Sequence, residues 1–582
     1  MGAVFFKAAS RHLAILSTAI IIAACGGGGG GGPVADPTGG TPPPPPPPPP
    51  VLNSALETKV EAAQFLQLAG LGLDGDEVDA LTGTNAAAWV SAELAKPAFG
   101  YEDFMRSRVA ADEVSRRQSS QAMWEAMITS DAQLRARMTF ALSQLFVISN
   151  AQFSSKVRYG LGSYLDILDR NAFGNYRDLM QEVTYSPIMG EYLTYIYNRK
   201  GDPSKGRQPD ENYAREILQL FTIGLVELNM DGTPRLDGSG QEIETYTNED
   251  VVGLARVFTG LAHAGTDFRS GRRGPDGYEV PMEMVDREHS ELEKTFLGTT
   301  IPAGTPGDTS ITQALDAIFA HPNMAPFVSR QLIQRFTASH PEPTYVERVA
   351  NAFETGRYAA EDGSNFGTGQ RGDLSATLAA ILLDETLFDD VRGATEGKLR
   401  EPVLKFVQLA RTYAKPASTQ ITIQAFNSFA DTSNPLTSLG QSPLKSPSVF
   451  NFYRPGYIAP STETGDAGLT APELQIVNQA AALGYLNFMS RFITQGDTDR
   501  IGILVPDLSE ELALGDDATA LVDLLDLKLL AGRMGETTRT RIIEAVEALP
   551  VREGNSRDTD IRSRVRIAML MTVASADYVA LN

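Results

Sequence analysis

The chain has 582 residues, 42% of them hydrophobic, with a formal net charge of −22 and a single cysteine. So acidic a surface argues against nucleic acid or anionic lipid headgroups as the principal partner, and it also keeps an exported protein dispersed. One cysteine excludes an internal disulfide and any multi-thiolate metal site.

Residues 1–24 read as an export signal: Lys7 and Arg11 precede an apolar run, and small residues follow. The run is too short and wrongly flanked for a membrane span. It ends in Ile22, Ala23, Ala24 and Cys25, the pattern of a bacterial lipobox, with cleavage before Cys25 and acylation of its thiol. Losing Lys7 and Arg11 with the signal takes the net charge to about −24. Acyl chains on Cys25 would make the lipid bilayer a partner without a spanning helix. Gly26 stands where an Asp would signal inner-membrane retention, which points to the outer membrane. Residues 25–54 form a tether, with seven glycines at 26–32 and nine prolines at 42–50. The glycines are flexible, and the prolines form a stiff spacer of about 3 Å per residue. No second linker interrupts residues 55–582, which read as one large domain.

Apolar spacing in that body is helical almost throughout, so the expected fold class is mostly α. Residues 61–97 give three helices with loops between them, and 131–149 a long helix that turns apolar toward its end. Residues 162–193 give two helices broken near Gly174 and a third after Pro187. Further helices follow from 325 to 413, and again from 473 to the end. The best strand candidate is a hairpin at 225–246, with turns at Asp231-Gly232 and Asp237-Gly238. Thr247 to Asp250 has the form of a capping box that opens the next helix.

Residues 209–224, PDENYAREILQLFTIG, hold the densest polar and apolar patterning. Pro209 and Asp210 suit a helix entry, and Gly224 a stop. At 100° per residue, Tyr213, Ala214, Ile217, Leu218, Leu220 and Phe221 share an apolar arc. Glu211, Asn212, Arg215, Gln219 and Thr222 fall opposite, with Glu216 at the border. Glu211 and Arg215 make an i, i+4 pair worth only a few tenths of a kcal/mol.

This block, with AFGNYRDLMQEVTYSPIMGEYL before it and YTNEDVVGLARVFTGL after it, resembles the bacterial DUF1800 family. HSELEKTFLG, VSRQLIQRFTASHPEPTYVERVANAF and SPSVFNFYRPGYIAP extend the resemblance, which runs from about residue 57 to the end. It implies a large, mostly helical exported protein without an established activity. Members are often encoded beside a second exported family, DUF1501, which resembles alkaline phosphatases and sulfatases. Relatives often place Asp after the first His of HSELEKTFLG; here Ser290 follows His289, which weakens a ligand pair.

Few arrangements that carry chemistry are complete. The body's four histidines, His263, His289, His321 and His340, form no HExxH motif. His289 lies among Asp286, Glu288, Glu291 and Glu293, a weak candidate for a carboxylate-rich metal site against a charged surface turn. Ser442 and Lys445 match S-x-x-K, but Pro443 and Pro447 predict an irregular loop. GATEGKL at 393–399 is one residue short of a phosphate loop. No cofactor motif emerges. The aromatic run 448–457 reads as a packed loop rather than a ligand platform.

Two expectations follow. The first is an accessory protein in the cell envelope, working with another exported protein of the DUF1501 kind. The second is an envelope hydrolase using paired carboxylates, for which Asp210, Glu211 and Glu216 are the catalytic candidates, with Arg215 and Lys294 as binding candidates.

Overall fold

A computed structural model describes residues 54–111, 113–154, 157–269, 277–388, 397–413, 431–495 and 506–581. The signal, Cys25 and almost all of the tether lie outside the described residues, as do residues 393–396 of the glycine-containing segment.

Side-chain caps set many of the helix starts. Thr58 caps α1 (Lys59–Ala69) in a reciprocal box with Glu61, and Asp74 and Asn85 cap α2 (Gly75–Leu81) and α3 (Ala86–Leu94). The series continues through α4 (Tyr101–Arg108), α5 (Arg117–Thr129), α6 (Gln133–Leu145), α7 (Gly160–Arg170), α8 (Tyr176–Tyr185) and α9 (Pro187–Tyr192). The expected break near Gly174 and the restart at Pro187 are both present. Helix α6 stops short of the expected 149, because Ser149 pairs instead with Lys445.

The helix of residues 209–224 has two parts: α10 (Asn212–Glu216) and a π-helical turn, Ile217–Thr222. After it come α11 (Asn248–Val257), opened by the Thr247–Asp250 capping box, α12 (Gly307–Phe319), α13 (Met324–Phe336), α14 (Pro343–Thr355), α15 (Leu374–Leu382) and α16 (Pro402–Tyr413). Among the later helices are α17 (Gln479–Gln495), α18 (Glu536–Glu547) and α19 (Arg557–Ala574). The named strands are two or three residues long and pair only in twos, so the chain is a mostly α protein. Among the described residues no helix is long and apolar enough to cross a membrane.

Aromatic rings mark two parts of the core. Trp124 on α5 meets Phe406 on α16, which in turn meets Phe488 and Phe492 on α17, all near edge-on. Phe146, Tyr176, Phe221 and Phe353 form the second group, which fixes the π turn from below. Gly253 explains why α11 and the hairpin of strands Lys294–Phe296 and Thr299–Ile301 can touch. A Cβ there would lie 1.8 Å from the Thr295 carbonyl oxygen.

Residues 225–246 form three short antiparallel runs where one hairpin was expected. Bridges join Val226 to Glu244, Leu228 to Pro234 and Leu236 to Glu242. The amide of Arg235 donates to Glu227, that of Ile243 to Arg235, and that of Glu227 to Ile243, closing a ring. Two turns in 22 residues leave each run too short to make a sheet with one neighbour, and the ring satisfies all three. Asp231 Oδ1 accepts from the Thr233 amide at 2.9 Å, and Asp237 Oδ1 from those of Ser239 and Gln241 at 2.8 and 3.0 Å.

One buried side chain anchors the start of this unit. Asn323, 2% exposed, donates through Nδ2 to Ile223 O at 2.8 Å and Val226 O at 2.7 Å, and accepts from Leu228 N at 2.7 Å. Replacing Asn323 by Ala strands three backbone groups. The expected loss is about 3 kcal/mol, read as a lower urea midpoint with an unchanged m-value, and early proteolysis should fall within 224–246.

Candidate functional site

One face of α13 is polar although the helix is deeply buried. Phe327, Arg330, Gln331, Gln334 and Arg335 follow the i, i+3, i+4, i+7, i+8 spacing of a single helical stripe. They line a cavity of about 470 Å³ together with Gln219 and Leu220 of the π turn, Gln144 and Leu145 at the end of α6, and residues of the 449–456 loop. That volume suits a small-molecule site.

The π turn decides what this wall presents. Five-residue hydrogen bonding lets Thr222 Oγ1 reach the Ile217 carbonyl at 2.5 Å, and Thr222 is fully buried. The constant 100° step had placed Thr222 on the solvent side; the wider turn rotates it inward. The Phe221 carbonyl is taken by the Tyr176 hydroxyl at 2.6 Å. Gly224 ends the helix at φ +73°, where a Cβ would lie 2.6 Å from the Phe327 ring.

The cavity's electrostatics differ from those of the chain as a whole. Although 72 residues are acidic, the described residues lining it include three arginines and no Asp, Glu or Lys. Arg335 is 6% exposed; its guanidinium lies 4.8 Å over the Tyr453 ring, its Nε has no hydrogen-bond partner, and among the described residues it forms no ion pair. Arg454 lies 4.8 Å over Phe450 at the rim. Arg330 Nη1 reaches the Gly232 carbonyl at 3.4 Å, and burial lowers its pKa.

The amides are equally specific. Gln144 Nε2 donates to Glu401 at 2.7 Å, which fixes that amide's orientation and leaves its Oε1 without a donor. Gln334 Nε2 donates to the carbonyls of Ser339 and Pro455 at 3.1 and 3.0 Å, and its Oε1 is likewise unpartnered. Asn451 Nδ2 also lacks an acceptor. Each such group costs about 1–3 kcal/mol when it stays unpaired. Glu401, one layer behind the wall, is occupied by neutral donors, among them the Tyr453 hydroxyl at 2.8 Å.

The residues singled out by sequence lie elsewhere. Asp210 accepts from the Asn212 amide at 2.8 Å and the Thr194 hydroxyl at 3.0 Å, a helix-entry role. Glu211 and Arg215 pair at 3.4 Å with both side chains over one third exposed. Glu216 is 7% exposed, its Oε2 is unpartnered, and Tyr192 and Tyr246 lie within its field. His289 faces the Thr259 carbonyl through Nδ1 at 2.9 Å and the Ser310 hydroxyl through Nε2 at 3.2 Å. Burial lowers its pKa, so it is a neutral pin between two segments. Around it, Asp286 accepts from the Gly307 amide at 2.9 Å and Glu291 pairs with Lys200 at 2.6 Å. Lys294 is fully buried, donates to the Leu292 carbonyl at 3.3 Å, and has its pKa lowered by burial and by Arg256. Among the described residues, no hydrogen bond or ion pair links Glu216 to His289 or Lys294, and no three His, Cys, Asp or Glu side chains gather as metal ligands.

Sequence reasoning passed over Gln144, Arg330, Gln334, Arg335 and Asn451. The available signal was the RQ and QR pairs of VSRQLIQRF, polar residues recurring at helical spacing within an apolar helix. The 448–457 loop is packed through Tyr453, 1% exposed, yet it also supplies the cavity's far wall.

A mostly α body, with arginine and amide groups set into a largely apolar cavity, defines the class of protein. A family model described as "Protein of unknown function (DUF1800)" matches residues 64–580, and the chain belongs to that family. No curated protein and no solved structure matches the chain.

Glu216 gives a pH signature. Burial raises its pKa, with Arg215 opposing, so the folded state holds this proton more tightly than the unfolded state and stability falls as pH rises past the ordinary carboxyl range. Glu216→Gln removes that penalty. Its melting temperature should match the unsubstituted protein near pH 4 and exceed it at pH 7 to 8, and the difference curve should isolate this group.

Proposed function

We propose that the protein is a lipid-tethered accessory component of the cell envelope, whose helical body binds a small ligand or ligand-bearing partner rather than cleaving it. The cavity carries this reading: amides and guanidiniums can hold a ligand there, and its described lining supplies no carboxylate pair for acid–base work. Asp210 and Glu211, by contrast, are engaged in a helix entry and a surface pair. The partner best suited to this role is an exported protein of the DUF1501 kind. Full-length protein solubilised in mild detergent should co-purify with that product when the two are expressed together. Recovery of each alone at equal yield, with no complex by size-exclusion chromatography, would count decisively against it.

The tether makes a separate prediction. Cys25→Ser should move the protein from the membrane fraction to the soluble fraction, with an unchanged circular dichroism spectrum, because the anchoring acyl chains are lost.

The rival reading, an envelope hydrolase, draws on Glu216, a buried carboxyl with a raised pKa of the kind that serves as a general acid. It requires turnover of an envelope polymer that falls at least 100-fold in both Glu211→Gln and Glu216→Gln. The accessory reading expects no turnover in any of the three proteins.

A further inference from the structure

We infer that the cavity between α13 and the 449–456 loop takes a compact organic oxyanion that also bears hydroxyl groups, the chemistry of an acidic sugar. This rests on the reading of that cavity as a ligand site, and it is carried by Arg335. An arginine keeps its charge under all ordinary conditions, so a buried one needs an anion or several carbonyls around it. Arg137, also buried, donates to the Gly70 and Phe336 carbonyls, and Arg400 to Gln408 and the Tyr578 carbonyl. Arg335 makes no hydrogen bond or ion pair among the described residues: it stacks on the face of Tyr453, whose hydroxyl donates to Glu401 behind the wall. Stacking occupies the face of the guanidinium and leaves its N–H edges for a carboxylate, sulfate or phosphate, which the planar fork matches in a bidentate manner. Arg454, exposed at the rim over Phe450, adds a second cation on the approach.

The hydroxyl requirement comes from the amides. Oε1 of Gln144 and of Gln334 are acceptors whose Nε2 groups are already committed to protein acceptors, so neither amide can turn to offer a donor. Both residues line the cavity, where a bare inorganic anion brings these acceptors no donor and a ligand with O–H groups offers one. Asn451 Nδ2 supplies a donor for a further ligand oxygen. Leu145, Val147, Leu225 and Phe327 give the same cavity apolar walls against which a sugar's C–H face packs.

The test titrates the full chain in detergent with glucuronate, glucose 6-sulfate, glucose 6-phosphate, glucose, glucosamine and inorganic sulfate, read by calorimetry and thermal shift. At least one charged sugar should bind ten times or more tighter than glucose, glucosamine and inorganic sulfate. Comparison of the first three identifies which oxyanion is carried. Arg335→Gln should weaken that binding at least tenfold. Arg454→Gln, at an exposed position, should weaken it about threefold with an unchanged melting temperature. Equal binding of glucose or glucosamine would overturn the oxyanion while leaving a ligand site in place. Inorganic sulfate binding as well as the charged sugars would overturn the hydroxyl requirement. No binding by any charged sugar, or binding untouched in both arginine variants, would overturn the inference itself, without bearing on the co-purification that tests the accessory role.

Discussion

The geometry of the candidate site depends on how the helix of residues 212–222 ends. An α-helix leaves its last carbonyls without partners, and a buried end must find donors outside the helix. Here the π turn, the Tyr176 hydroxyl on Phe221 O and Asn323 on Ile223 O supply them. Once those bonds are made, the chain leaves through Gly224 in the one direction that lets residues 224–228 form a cavity wall against Phe327. The same bonds rotate Gln219 and Leu220 toward that space and turn Thr222 away from it. A regular helix of the same residues would aim a different face at α13.

Buried charge is handled in several ways in this protein. Lys398 pairs with Glu473, and the buried Glu511 with the part-buried Lys528, whereas Arg137 and Glu401 rest on neutral hydrogen-bond partners. Lys405, buried over the Tyr485 ring, has its pKa pulled down to about 7. Arg335 has no ion pair and no hydrogen bond among the described residues. A guanidinium without an ion pair and three unpartnered amide atoms, all on residues lining one cavity, are costly for folding alone, and such costs persist where binding uses them. Acidity over the rest of the molecule makes the contrast sharper, since the negative surface keeps the body dispersed while the cavity is locally positive.

The accessory reading and the hydrolase reading differ in where they put the reactive groups. Paired-carboxylate chemistry needs two acids flanking one substrate bond, and Asp210, Glu211 and Glu216 occupy three unlike environments: a helix entry, a surface pair and a buried position near tyrosines. Recognition chemistry needs donors and acceptors fixed in advance of the ligand, and the Gln144 and Gln334 amides are fixed by the hydrogen bonds of their Nε2 groups.

Local chemistry was legible in the sequence. Apolar period, capping residues and turn glycines announced the helices, the break at Gly174, the restart at Pro187 and the Thr247 box, because each depends on residues within a turn or two of one another. The Glu211–Arg215 pair was legible for the same reason. Only the tertiary structure decided which polar stripe faces water and which faces a cavity. Arg330, Gln331, Gln334 and Arg335 have the spacing of a solvated helix back, and periodicity reports the direction of a side chain but not what lies opposite it. Asn323 and Tyr176 act on groups more than 40 residues distant in sequence, and the π turn breaks the constant angle on which any reading of helical faces relies. Long-range hydrogen bonds set these features, and a linear sequence does not display its own long-range contacts.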